Sequence, residues 1–163
     1  MRLFRKLRTE NRELRTRLLV NSRADVALTA GADGVHLRSD DISPTDVFGI
    51  WKLCGSGALA RETPPTVAAS CHSPSDVLRT ASEGADFAVF APVFEKIAVP
   101  GTPPQGLSAL AEACKARIPV LALGGVTLQN AQSCLEAGAA GVAAIRLFQE
   151  NRISEVVRAL HAL

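Results

Sequence analysis

The sequence predicts a parallel α/β protein of the (β/α) or TIM-barrel class, incomplete, with about six of the eight β/α units. Three observations carry this expectation. Six short apolar runs alternate with amphipathic segments over residues 18–163, the pattern of a parallel sheet with right-handed crossovers. The runs recur at similar spacing with small-residue turns between them, which favours a barrel over an open sheet. A helix-end, Gly-Ala, strand pattern also returns three times, at residues 30–35, 83–87 and 137–142. Glycine one residue past a helix suits the left-handed backbone needed there. Those three turns are therefore structural, and the chemistry belongs at the opposite, C-terminal ends of the strands. A closed barrel of this class has eight strands and rarely fewer than about 200 residues. The chain of 163 reads as N-terminally shortened, lacking two strands, or as one whose arm supplies a strand.

The elements follow in order. Leu18-Leu19-Val20 is a strand and 25–30 a short helix. Val35-His36-Leu37 is the second strand. Residues 42–50 are helical, with Ser43 as N-cap ahead of Pro44 at the first helical position. Residues 67–71 form the third strand. Ser73, with Asp76 three residues on, caps the helix that ends near Gly84. The fourth strand, 87–91, is apolar throughout, as expected when both faces are buried. A Pro- and Gly-rich loop spans 94–106, and a helix covers 107–117. Val120 to Leu123 is the fifth strand, stopped by Gly124-Gly125. Residues 128–137 form a helix, 141–145 the sixth strand and 153–163 the last helix.

Composition limits the function classes. No apolar run reaches the ~18 residues of a spanning helix, and no apolar leader precedes a small-residue cleavage site. A cytoplasmic setting with no membrane partner is the expectation. Cysteines 54, 71, 114 and 134 include no C-x-x-C pair, so free thiols are expected rather than zinc or disulfides. Residues 1–23 carry eight Lys/Arg against two Glu, whereas the rest carries ten against fourteen. Residues 1–17 thus form a basic arm or helix and 18–163 the barrel domain. The arm lacks the aromatic interleaving that stacks on bases, so nucleic acid is not the expected partner.

Five of the loops that follow strands hold candidate chemistry. Gly124-Gly125 before a helix offers backbone N–H groups to a phosphate, and Arg146 at the end of the last strand adds charge-assisted bonds. Tight turns require glycine too. His72 follows a strand and opens a helix, where an imidazole can exchange protons near neutral pH or simply bond its own loop. His36, inside a strand, reads as a core or barrel-lining residue. Asp40 and Asp41 are either Mg²⁺ ligands or helix-dipole partners. Asn21 either bonds a ligand or closes an Asx turn. Cys71, beside His72, reads as a packed small residue, with a reactive thiol the alternative.

These loops together resemble the thiamin-phosphate synthase and thiazole tautomerase (TenI-like) family. The resemblance runs from about Leu18 to the C-terminus. Its markers are residues 19–28, 31–37, Ser70-Cys71-His72-Ser73, Pro92-Val93-Phe94, Pro100-Gly101-Thr102-Pro103-Pro104-Gln105-Gly106 and 123–126. The resemblance implies a (β/α)8 barrel in thiamin biosynthesis that binds a small phosphorylated thiazole. A synthase joins that ligand to hydroxymethylpyrimidine diphosphate and releases pyrophosphate with Mg²⁺. A tautomerase isomerises a thiazole carboxylate phosphate by proton transfer and uses no cofactor.

Carried over by position, Gly124, Gly125 and Arg146 match the phosphate site, Ser70 a substrate-contacting serine and His72 the proton-transfer histidine. Asn21 falls in the first substrate loop. Asp41 matches one metal position, but Ser22 stands where the synthase has a second metal aspartate. The synthase lysine of the Pro-rich loop falls at Val99, with Lys96 three residues away as a substitute substrate contact. The pyrophosphate-binding motif of an early strand is missing. These departures favour tautomerase-like chemistry over the synthase. The third reading is a non-catalytic binding or regulatory domain whose open edges a second copy covers, as a homo-oligomer.

Overall fold

The computed structural model describes residues 17–54, 63–95 and 103–163. Six strands form one parallel sheet in sequential order: β1 (Leu19–Asn21), β2 (Gly34–Leu37), β3 (Thr66–Cys71), β4 (Phe87–Phe90), β5 (Val120–Leu123) and β6 (Gly141–Ala143). Every strand pairs only with its neighbours in sequence, and no β6–β1 pairing closes the sheet among the described residues. Seven helices accompany them among the described residues: α1 (Ala24–Ala30), α2 (Pro44–Cys54), α3 (Pro74–Ser82), α4 (Gly106–Ala113), α5 (Ala131–Glu136), α6 (Arg146–Gln149) and α7 (Ile153–His161). The expected six β/α units are present. Of the basic arm, 1–17, only Arg17 is among the described residues; its guanidinium donates to Thr66 Oγ1 at 2.6 Å.

Side-chain alternation divides the sheet into two faces. Val35, Leu37, Val67 and Ala69 pack with α1 and α2 against Ala27, Leu28, Val47 and Trp51. Ala88, Phe90, Val120 and Ala122 pack with α3 to α5 against Val77, Leu110, Ala131 and Cys134. The opposite face carries Asn21, His36, Ser70, Phe87, Leu121 and Leu123, all half-buried or exposed. Its polar members stand at the C-terminal ends of β1 to β3, so this face leads to the loops where chemistry was expected.

The repeated αβ turns anchor the N-terminal ends. Asp33 and Asp86 each return a backbone N–H to the preceding strand, at Leu18 O and Val67 O, both 2.8 Å. Their carboxylates accept from Leu18 N (2.9 Å) and Val67 N (2.7 Å). Ala140, the third occurrence, keeps the backbone bond to Val120 O (2.8 Å) and has no carboxylate to add. Gly31, Gly84 and Gly138 all have positive φ.

Several boundaries depart from expectation, and the helix predicted over 42–50 runs on to Cys54. The helix predicted over 128–137 begins only at Ala131, because Thr127 and Asn130 bond each other reciprocally and form a turn. The helix predicted over 107–117 ends at Ala113. The sixth strand stops at Ala143, so Arg146 does not end it but opens the unforeseen short helix α6.

Candidate functional site

A cleft of about 520 Å³ opens at the C-terminal ends of β5 and β6. Gly124, Gly125 and Arg146 all line it, with Glu95, Thr127, Ile145 and Glu150. The backbone shape comes from the glycines: Gly124 has φ +95° and Gly125 φ +66°. At Gly125 the reason is packing. A Cβ there would lie 2.6 Å from Glu95 O and 2.7 Å from Phe94 Cβ, so the loop after β4 presses on this turn. Asn130 locks the other side by donating from Nδ2 to Gly125 O at 3.0 Å. Arg146 is half-exposed, with Nε 4.0 Å from Glu150 Oε1. An exposed pair at that separation is weak and screened, so the guanidinium remains able to meet a ligand anion. The surrounding surface is mainly apolar, supplied by Leu123, Val126, Ile145 and Leu147, which suits a ring beside the anion.

His72 follows β3 and is exposed. Its Nδ1 lies 2.7 Å from Ala91 O, at the end of β4. A carbonyl only accepts, so Nδ1 carries the proton and the Nε2 lone pair is left for exchange. The peptide after Ala91 is cis, to Pro92. The His72 backbone N–H donates to Asp76 at 3.1 Å, and Ser73 Oγ accepts from Asp76 N at 3.1 Å. The capping box read from the sequence therefore also orients the histidine loop. Burial pushes the Asp76 carboxyl up, but the Ser73 hydroxyl, the His72 and Ser73 N–H groups and the Arg79 charge outweigh it. The net pKa lies below the ordinary carboxylate range.

A second polar group gathers at β1 to β3. Ser70 Oγ lies 3.1 Å from His36 Nε2. Asn21 is exposed at the end of β1 and pairs in register with His36. Asp41 returns to its own loop: Oδ2 accepts from Arg38 N at 2.7 Å and Oδ1 lies 3.4 Å from Arg38 Nη2. Burial raises the Asp41 pKa, while the Ser22 hydroxyl and Arg38 together draw it below its usual value. This arrangement does not suit Mg²⁺. The cation needs carboxylate or phosphate oxygens in near-octahedral order. Here one carboxylate, with only 12% of its side chain exposed, is committed to an N–H, a guanidinium and a hydroxyl. Ser22 stands where a second acid would face it, and the adjacent Asp40 is exposed, with Oδ1 3.6 Å from Arg38 Nε. No group of three metal-ligating side chains occurs among the described residues.

The structure brings Gly124, Gly125 and Arg146 into one cleft, Ser70 and His36 into another group, and His72 onto the β4 end. Lys96 and Val99 lie outside the described residues. Cys71 is buried beneath the helices and its thiol is pushed up by burial, which fits packing rather than reactivity. The thiols at 54, 71, 114 and 134 are free. Sequence reasoning missed Ile145 and Glu150 in the cleft, and the His36–Ser70 pair. The pair had a signal: His36 stands between Val35 and Leu37, whose burial in the helix-side core sends the ring to the other face.

A family model described as thiamine monophosphate synthase matches residues 1–148. A protein of Geobacter sulfurreducens, provisionally named a thiamine-phosphate synthase, is 40% identical over 167 aligned residues, covering all of this chain and 73% of its own length. The thiamine-phosphate synthase of Chlorobium luteolum is 36% identical over 148 residues, 89% of this chain and 65% of its own. Among solved structures, thiamine phosphate pyrophosphorylase from Pyrococcus furiosus superposes with a TM-score of 0.77 at 28% identity, covering 96% of this chain and 71% of that one.

Proposed function

The chain belongs to the thiamine monophosphate synthase family, and from that premise we propose that it acts in thiamin biosynthesis on a phosphorylated thiazole. The reaction proposed is tautomerase-like proton transfer on a thiazole carboxylate phosphate. The observation that carries the ligand is the shared cleft of Gly124, Gly125 and Arg146. A dianionic phosphate there meets a guanidinium and the backbone of a glycine turn, beside apolar surface for the ring. Charge-assisted bonds of this kind contribute roughly 1.5–3 kcal/mol each.

His72 supplies the proton chemistry. With Nδ1 donating to Ala91 O, Nε2 takes a proton from one position of the ring system, and the imidazolium so formed returns one at another. No bond to phosphate breaks and nothing is oxidised. Asn21 and Ser70 are assigned to the ring end of the ligand, and Lys96, in the Pro-rich loop, to a further substrate contact. Mg²⁺ has no step here, in keeping with the committed Asp41.

The test is interconversion of thiazole carboxylate phosphate tautomers followed by NMR. His72→Ala is expected to lower the rate about 10²-fold or more, the usual loss for a general acid–base group. Equal rates in both proteins would remove His72 from the reaction. The second reading is thiamin-phosphate synthase, favoured by the relatives that carry that name. It requires Mg²⁺-dependent pyrophosphate release from thiazole phosphate and hydroxymethylpyrimidine diphosphate. Such release, abolished by EDTA, would replace the tautomerase reading.

A further inference from the structure

We infer that His36 is a positioning residue for the Ser70 hydroxyl, and that the two together present one fixed, uncharged hydrogen-bonding group to the polar edge of a heteroaromatic ligand. The inference rests on the proposed binding of a phosphorylated ring at the C-terminal mouth of the sheet. Ser70 Oγ and His36 Nε2 are 3.1 Å apart on adjacent strands. The β2–β3 register sets His36 opposite Ala68, so Ser70 is one two-residue step further toward the mouth on the same face. The ring cannot turn away, because Val35 and Leu37 on either side are buried in the helix-side core.

Charge supports the same picture. Burial lowers the His36 pKa, while Asp41, the acid in the following loop, opposes it without reversing the direction. A neutral imidazole has one donor and one acceptor nitrogen. With Nε2 engaged, the serine hydroxyl loses its rotational freedom, and its remaining hydrogen-bonding capacity is aimed by the pair rather than by solvent. A lone serine would pay the ordering cost only when ligand arrives; a pre-oriented one has met it already. Ser70 touches ligand in this scheme, and His36 acts through it.

A double-mutant cycle read by calorimetry tests this, with thiazole carboxylate phosphate as the probe. Ser70→Ala and His36→Leu are each expected to weaken binding about tenfold, the effect of one hydrogen bond. The double variant should be no weaker than either single one, since the two act as a unit. His36→Gln, whose amide reaches the place of Nε2, should bind within about threefold of wild type, whereas His36→Asn, which stops short, should resemble His36→Leu. Additive losses of about a hundredfold, or unchanged binding in His36→Leu, overturn the inference. If His36→Leu fails to unfold cooperatively, the Gln–Asn contrast decides, and equal binding by both overturns it. Arg146→Ala separates the two levels. Binding indifferent to Arg146 overturns the phosphate reading, whereas binding sensitive to Arg146 and indifferent to His36 overturns only the pair. A probe that does not bind wild type overturns both.

Discussion

Two of the site's glycine and cation positions have different physical origins, and substitution should separate them. At Gly125 any side chain meets Glu95 O and Phe94 Cβ inside 3 Å, in a backbone with positive φ. Gly125→Ala therefore combines overpacking with left-handed strain, and a loss of roughly 2–4 kcal/mol is expected, checked by urea unfolding. At Arg146 the side chain is half-exposed and only loosely paired. Arg146→Ala should leave the unfolding midpoint almost unchanged, within about 0.5 kcal/mol. It should weaken phosphate-ligand affinity about tenfold or more, measured by calorimetry. A stable Gly125→Ala protein would mean that the loop after β4 yields easily. That would make glycine at 125 a matter of ligand access rather than packing.

Helix α3 links stability to the histidine loop through Asp76. Its folded pKa is depressed, so the stability it contributes is complete above the ordinary carboxylate pKa and is lost as pH falls through the depressed value. Asp76→Asn is expected to cost about 1 kcal/mol at neutral pH and to flatten the acid limb of the stability curve below about pH 4. An unchanged acid limb, followed by denaturant melts from pH 6 to pH 2, would show that the cap does not persist in solution. This element was legible in advance because its signal is local: Ser73, Pro74 and Asp76 determine the cap within four residues. The other strands and most helix starts were equally readable from apolar runs and N-caps. The late start of α5 was not, since Thr127 and Asn130 satisfy each other where helical bonds were expected. Helix α6 was missed because Ile145 and Leu147 continue the apolar run of β6 without a punctuating residue. The site was half legible. Motif order located Gly124, Gly125, Arg146 and His72, but the His36–Ser70 contact depends on register between strands 34 residues apart, and the closing of Asp41 onto Arg38 depends on loop geometry.

At the scale of the molecule, the sheet is strongest at its centre. β3 and β4 are almost wholly buried, and each has a partner strand on both sides. β1 and β6 have one partner each among the described residues, and none of their residues is fully buried. Unpaired edges expose backbone N–H and C=O groups to solvent or to another chain, and local opening draws on the segments with least burial. Hydrogen exchange should therefore be at least about a hundredfold slower in β3 and β4 than in β1 and β6, a difference of roughly 2.7 kcal/mol in opening free energy. Mass spectrometry of the native protein measures this directly. Dilution is the informative variable. If β1 and β6 are protected at high concentration and lose that protection on dilution, a second copy covers the edges, and the homo-oligomer expected from the open sheet is the working form. If their protection is high and independent of concentration, the edges are covered within one chain and the barrel closes on itself. If exchange is uniformly fast at every strand, the sheet does not hold the C-terminal mouth rigid. His72 and the β5–β6 cleft would then lack the fixed separation that proton transfer on a bound ring requires.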